Sequence, residues 1–241
     1  MQNINPTKHR NRRAIFYLSI LGVPLVLLGC VALASIAMLS QLPLFGSLTL
    51  VVQGVLLLLA GGGFVVGAVS TYRGITLAHD NELAFRVGEV LGQSIGGDPR
   101  YRFIRNVSRR GLGYIDAVLV GPPGALVFRV LDVEGTWRNE HAEWKVMRNG
   151  KFRPAPINPS RECARDVYAL RKFLKKRKLE KIPVYGVVVF TNLEMTLQGQ
   201  GQVVPITKPN RLFEVISRDY LTEERIKLPQ IEAAVDAIID G

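Results

Sequence analysis

Between residues 14 and 72 the chain carries no Asp, Glu, Lys, Arg or His side chain. Helices and strands of a soluble domain each need a wetted face, so a stretch of this length must be covered by something other than water. All 31 Lys and Arg and all 20 Asp and Glu lie outside it, and so apolar a block is incompatible with intrinsic disorder. Residues 14–40 are almost continuous Leu, Val, Ile and Ala. At ~1.5 Å per residue they exceed the ~30 Å hydrocarbon core of a bilayer. Gln41-Leu42-Pro43 interrupts the run, and a second apolar stretch follows over 44–70. The first run is longer than the apolar region of a signal peptide, ~7–15 residues, and no clear small-x-small cleavage site precedes a polar sequence. A soluble core helix would need a polar face that neither run has. A two-helix transmembrane hairpin is therefore expected, with the lipid bilayer as its partner.

Orientation follows from the flanks. Lys8, Arg10, Arg12 and Arg13 precede the first span, Arg73 closes the second, and the connector between them is uncharged. The positive-inside rule then predicts an integral protein of the cytoplasmic (inner) membrane with both termini cytoplasmic. The expected organisation is a basic cytoplasmic N-terminus (1–13), two spans (14–72) and a cytosolic α/β domain (73–241). Neither span carries an ionisable group, so an anchor is expected rather than a transporter. Pro24, Gly54 and Gly61-Gly62-Gly63 would permit close helix contact. Two cysteines, Cys30 and Cys163, make no disulfide framework, and with three histidines they supply no zinc cluster. His79 and His141 are isolated.

In the polar region, apolar spacing predicts an amphipathic helix over 74–91 and a strand over 101–107. Two further strands, 113–120 and 125–133, flank Gly121-Pro122-Pro123-Gly124, a hairpin turn signal. Asn158 or Ser160 is placed to cap a helix reaching about residue 178. The run 182–190 (IPVYGVVVF) reads as a strand buried on both faces in the middle of a sheet. A short strand near 202–206 and helices near 210–217 and 229–239 complete an α/β sandwich, a mixed sheet covered by helices.

These residues resemble a known family. Gly88-Glu89, Tyr114-Ile115-Asp116 with VLVGPPG, ALVFRVLDVEGTW, Trp144, Gly150, Asn158-Pro159 and PVYGVVVF occur in the order of a NERD (nuclease-related) domain. That domain is a branch of the restriction-endonuclease-like PD-(D/E)XK group. The resemblance implies a restriction-endonuclease-like mixed sheet flanked by helices. It also implies a site where an Asp and a Glu hold a divalent cation and a Lys orients water and offsets charge at the phosphate. Hard oxygen ligands and a nearby cation suit that chemistry.

The departures decide what is expected of the site. Aligned on Gly124 and Gly135, the family's Glu-x-Lys becomes Arg129-Val130-Leu131. Asp116 survives, and Glu89 stands on the first helix; both are vestigial catalytic candidates. Strand alternation directs Asp132 and Glu134 away from the face of residues 129 and 131 unless a bulge intervenes, and Lys145 is the candidate for a migrated ammonium. The bland expectation is an Asp116–Arg129 ion pair that binds no metal. Glu162 stands where family members often carry Gln, and its bland reading is a solvated residue near a helix start. No cofactor is expected, and Mg²⁺ only if cleavage is retained.

Charge gives the other clue. Nine Lys or Arg fall between residues 161 and 181, densest at Arg171, Lys172, Lys175, Lys176, Arg177 and Lys178. A second group is Arg100, Arg102, Arg105, Arg109 and Arg110. Such fields attract the phosphates of DNA, RNA or anionic lipid head groups, while a solvated helix end accounts for them equally. No interleaved aromatic platform is visible in the sequence. The expected function is a membrane-anchored, non-catalytic module binding nucleic acid or another polyanion at the cytoplasmic face. The alternatives are an active Mg²⁺-dependent endonuclease with relocated residues and a structural protein apposed to anionic lipid. Oligomeric state stays open.

Overall fold

The computed structural model describes residues 1–6, 15–39, 47–78, 81–200 and 202–240. The basic residues at 8–13, the connector at 40–46 and His79 lie outside them. The chain divides into two units, Thr7–Asp80 and Met1–Pro6 with Asn81–Gly241. Residues 1–6, part of the basic N-terminus expected over 1–13, group with Asn81–Gly241, and the rest of that stretch lies outside the described residues. Gln2–Ile4 forms β1, which pairs in parallel with residues 102–104 and brings Ile4 against the core. The apolar block is thus an insertion within the α/β unit.

In the inserted unit, a π-helical stretch Phe16–Gly22 continues into α1 (Val23–Leu39), and α2 spans Ser47–Ala78. Pro24 lacks the N–H that would reach back one turn, which accounts for the widened turn before it. Phe16–Met38 and Val51–Tyr72 are long and apolar enough to cross a membrane, with mean hydropathies of 2.5 and 2.1. The two helices touch through small residues: a Cβ on Gly67 would stand 2.9 Å from the Val26 backbone nitrogen. Gly63 makes a similar approach to Leu25, whereas Gly54, Gly61 and Gly62 face open space. Only part of the small-residue set therefore serves this contact.

In the α/β unit, α3 (Glu82–Ile95) starts at Asn81, whose side chain caps the Ala84 N–H. The helix expected over 74–91 is thus two elements, α2 and α3. β2 (Arg102–Arg109), β3 (Gly113–Gly121) and β4 (Gly124–Leu131) are antiparallel neighbours, and β3 and β4 join through Pro122-Pro123. Gly124, at φ +132°, is required there, since a Cβ would lie 2.5 Å from the Pro183 carbonyl. α4 (Pro159–Lys175) is capped by Asn158 and crosses over to β8 (Val184–Phe190), which runs parallel to β4.

Three strands between β4 and α4, joined by one after β8, build a second sheet. β5 (Thr136–Glu140), β6 (Glu143–Arg148), β7 (Lys151–Pro154) and β9 (Thr196–Gln200) order as β7-β6-β5-β9 around Trp137, Trp144 and Phe190. The two-residue β10 (Ile206–Thr207) closes the first sheet, whose order is β1-β2-β3-β4-β8-β10. α5 (Leu212–Asp219) and α6 (Leu228–Asp240) end the chain. α3 and α5 bury Val87, Leu91, Leu212 and Ile216 against Phe103, Leu119 and Phe128 on one face. α4 and α6 bury Leu170, Phe173, Ile231 and Val235 against Val118, Val120 and Val127 on the other. The result is a mixed sheet flanked by helices. β8 departs from expectation in one respect: β10 pairs only with Val188 and Val189, so the strand's first half is an edge.

Candidate functional site

Strand alternation points Arg129 of β4 toward α4, because Phe128 and Val130 fill the opposite core. The first turns of α4 present Glu162 and Asp166, four residues apart and therefore on one helix face. Asp116 comes from the neighbouring β3. The Arg129 guanidinium enters this acidic ring: Nη2 donates to Glu162 at 2.5 Å, while Nη1 lies 3.6 Å from Asp116 and 4.0 Å from Asp166. One cation thus faces three carboxylates from two elements, with Asp116 and Asp166 both buried.

Asp116 is held further by the Val130 N–H at 2.9 Å and by Asn81 Nδ2 at 3.1 Å. Asn106 accepts from the Asn81 N–H and from Tyr114 Oη, and its backbone sits at φ +54° in the left-handed region that asparagine tolerates. Burial pushes the Asp116 carboxyl above the ordinary aspartate range, against the opposing pull of the Val130 N–H and Arg129. Asp166 is raised likewise, chiefly by burial and against Arg165 and Arg129, and its Oδ2 accepts no hydrogen bond among the described residues. Burial, reinforced by Asp166, drives the Cys163 thiol up to about 12, so it is an unreactive core group at neutral pH.

A divalent cation does not fit this set of side chains. The space between the three carboxylates is filled by a guanidinium already bonded to one and close to two. Among the described residues, no three His, Cys, Asp or Glu side chains converge to hold a metal ion. Leu131, in the place of the family's Lys, packs with the Trp137, Trp144 and Phe190 cluster and offers no charge. Asp132 and Glu134 lie beyond the end of β4, where strand alternation no longer applies, and both are exposed. Glu89 is exposed on α3, on the face of the sheet opposite α4, and so stands apart from Asp116. Lys145 belongs to the second sheet and bonds Glu140 at 2.6 Å.

The structure therefore joins Asp116 to Arg129 as the sequence suggests, and draws in Glu162, whose bland reading is a solvated face. Asp166, Asn81 and Asn106 escape sequence reasoning. The one signal for the first of them is the i,i+4 spacing of Glu162 and Asp166.

The two basic groups differ. Arg105 donates to Asn3, Arg109 to the Ile238 carbonyl, and Arg100 pairs with Asp98 and Glu224, so these three serve the fold. By contrast Lys172, Lys175, Lys176 and Lys178 are exposed and form no ion pair among the described residues. Arg177 lies over the Phe173 ring, and Arg171 donates to the Val184 carbonyl. Tyr168 and Tyr185 stand beside this group, an aromatic element that the linear sequence does not reveal.

Residues 79–191 match the family model described as nuclease-related domain. No curated protein and no solved structure matches the chain.

Proposed function

With a nuclease-related domain over residues 79–191 as premise, we propose that this chain is a membrane-anchored module that binds nucleic acid or a related polyanion without cleaving it. The carrying observation is Arg129. A guanidinium among Asp116, Glu162 and Asp166 satisfies with a fixed internal charge what a hydrolytic relative would satisfy with a divalent ion. No ammonium follows two residues later to offset charge at a phosphate.

The two apolar helices support the anchor. The pairing of β1 with β2, with the apolar helices between them in the chain, supports a reading in which both ends of the hairpin lie on the same side. A cleaved first span would remove β1 from the sheet, which argues against a signal peptide. The uncharged connector and the basic flanks favour the cytoplasmic side for both ends. The exposed end of α4 is the polyanion surface, through Arg171, Lys172, Lys175, Lys176, Arg177 and Lys178.

The test uses the full chain in detergent micelles, since a fragment beginning at Arg73 lacks β1. Affinity for duplex DNA or RNA falls with salt. Replacing Arg171, Lys172, Lys175 and Lys176 by Gln flattens that dependence by roughly one unit of slope for each phosphate no longer neutralised. An affinity indifferent to those four substitutions overturns the reading. Binding to anionic vesicles with none to nucleic acid would favour the lipid-apposed alternative.

A further inference from the structure

The outer edge of β8 is paired only at Val188 and Val189. Val188 N–H donates to the Pro205 carbonyl at 2.9 Å. Pro205 has no N–H to return to Gly186, so the ladder stops there. The strand from Val184 to Gly186 is left facing a groove, where Arg171 Nη2 reaches the Val184 carbonyl at 2.7 Å.

Two cavities meet along this edge and share Arg171 and Val184. One, of about 320 Å³, is walled by Tyr168, Tyr185, Val187, Val204 and Val215. The other, of about 330 Å³, is bordered by Arg171, Lys175 and Lys181, with one carboxylate, Glu180, and with Leu174 and Ile182. The groove is thus mainly apolar and aromatic at one end, where Asp219 is paired with Arg218, and net cationic at the other, where Arg171, Lys175 and Lys181 outnumber Glu180. Tyr168 stands 67% exposed on α4, its ring 5.9 Å from the Arg171 guanidinium. An aromatic ring beside cations that form no ion pair among the described residues complements a chain alternating flat bases with phosphates. A duplex keeps its bases stacked inside and cannot place one in an apolar cavity, whereas a single strand can splay one out.

We infer that the open edge of β8 and the basic end of α4 form a groove for single-stranded nucleic acid. A base enters the apolar cavity against Tyr168, and the adjoining phosphates lie against Arg171, Lys175 and Lys181. This rests on the polyanion reading above and adds to it the form of the strand and a base-contacting residue.

The test measures fluorescence anisotropy of the full chain in micelles with three probes of equal length at one salt concentration. They are labelled oligothymidylate, an abasic oligomer and a duplex. Oligothymidylate binds tightest. Tyr168→Ala weakens it about tenfold and leaves the abasic and duplex affinities unchanged, while Tyr168→Phe, which keeps the ring, restores it. Lys175→Gln with Lys181→Gln weakens all three. Equal affinity for oligothymidylate and the abasic oligomer, or a Tyr168→Ala protein that binds oligothymidylate normally, overturns the base site while leaving the polyanion reading standing. Displacement of all three probes by an acidic peptide with no base preference overturns it in favour of a peptide groove. Failure to bind any probe overturns the polyanion reading itself.

Discussion

Arg129 and Glu162 meet at 2.5 Å across the gap between the fourth strand and the first turn of the crossover helix. Their side chains are 20% and 26% exposed, so the pair is only partly screened by water. The bond ties the strand that carries the degenerate motif to the helix that carries the basic run.

Truncating Arg129 leaves Asp116 and Glu162 without their cation and Asp166 with Arg165 alone, at 3.5 Å. Breaking such a pair from one side costs about 3–5 kcal/mol. Arg129→Ala therefore lowers the unfolding midpoint of the α/β unit sharply. Arg129→Lys recovers only part of it, because a single nitrogen on a shorter head cannot stand at Glu162 and near Asp116 and Asp166 at once, as the two separate guanidinium nitrogens do. Thermal or denaturant unfolding of the full chain in micelles measures both; a Lys variant as stable as the parent would contradict the assignment.

The Asp166 carboxyl is raised by burial, so the folded chain holds its proton more readily than the unfolded chain. Stability from such a group is full below the ordinary aspartate value, ~3.9, and is lost as pH rises through the elevated folded value. Asp166→Asn imitates the protonated form. The variant should exceed the parent in stability at pH 7–8, and the difference should shrink toward pH 4. Parallel unfolding curves across that range would show that the burial cost is offset elsewhere.

Gly186 lets the crossover helix lie close on β8. A Cβ there would stand 2.7 Å from Cys163 Sγ and 2.8 Å from Val167 Cγ2. Gly186→Ala should cost about 1–3 kcal/mol through overpacking, and a Cys163→Ala background should return part of it. Denaturant unfolding of the two variants measures this, and Cys163 itself should resist alkylation until the protein unfolds.

Much of this architecture is legible in the residues, and the reasons differ by element. Gly121-Pro122-Pro123-Gly124 marks the hairpin because only a turn accommodates that run, and Asn158-Pro159 marks the helix start through its cap. The missing charges define the apolar helices. The second sheet is not visible in the sequence, because β5 to β7 are short and alternate Trp137, Trp144 and Val146 with charged residues whose pattern resembles a loop. Nor is the addition of Gln2–Ile4 to the sheet, since pairing across the inserted hairpin leaves no local trace. Of the site, Asp116 and Arg129 follow from the motif. Asp166 is hidden in a helix rich in charge, and Asn81 and Asn106 matter through backbone geometry that no spacing encodes.

Because β1 belongs to the sheet, residue 2 and the crossover helix should lie on one side of the membrane. Gln2→Cys and Tyr168→Cys, in a Cys30→Ala background, should label with an impermeant thiol reagent only in inverted vesicles. Labelling of the two positions from opposite sides would contradict the insertion topology.

The most direct measurement is cleavage. The purified full chain, incubated with supercoiled plasmid, linear DNA and RNA in Mg²⁺ and in Mn²⁺, should leave all three intact at levels matching an Asp116→Ala control. Metal-dependent nicking that disappears in Asp116→Ala would contradict the claim that Arg129 has taken the cation's place.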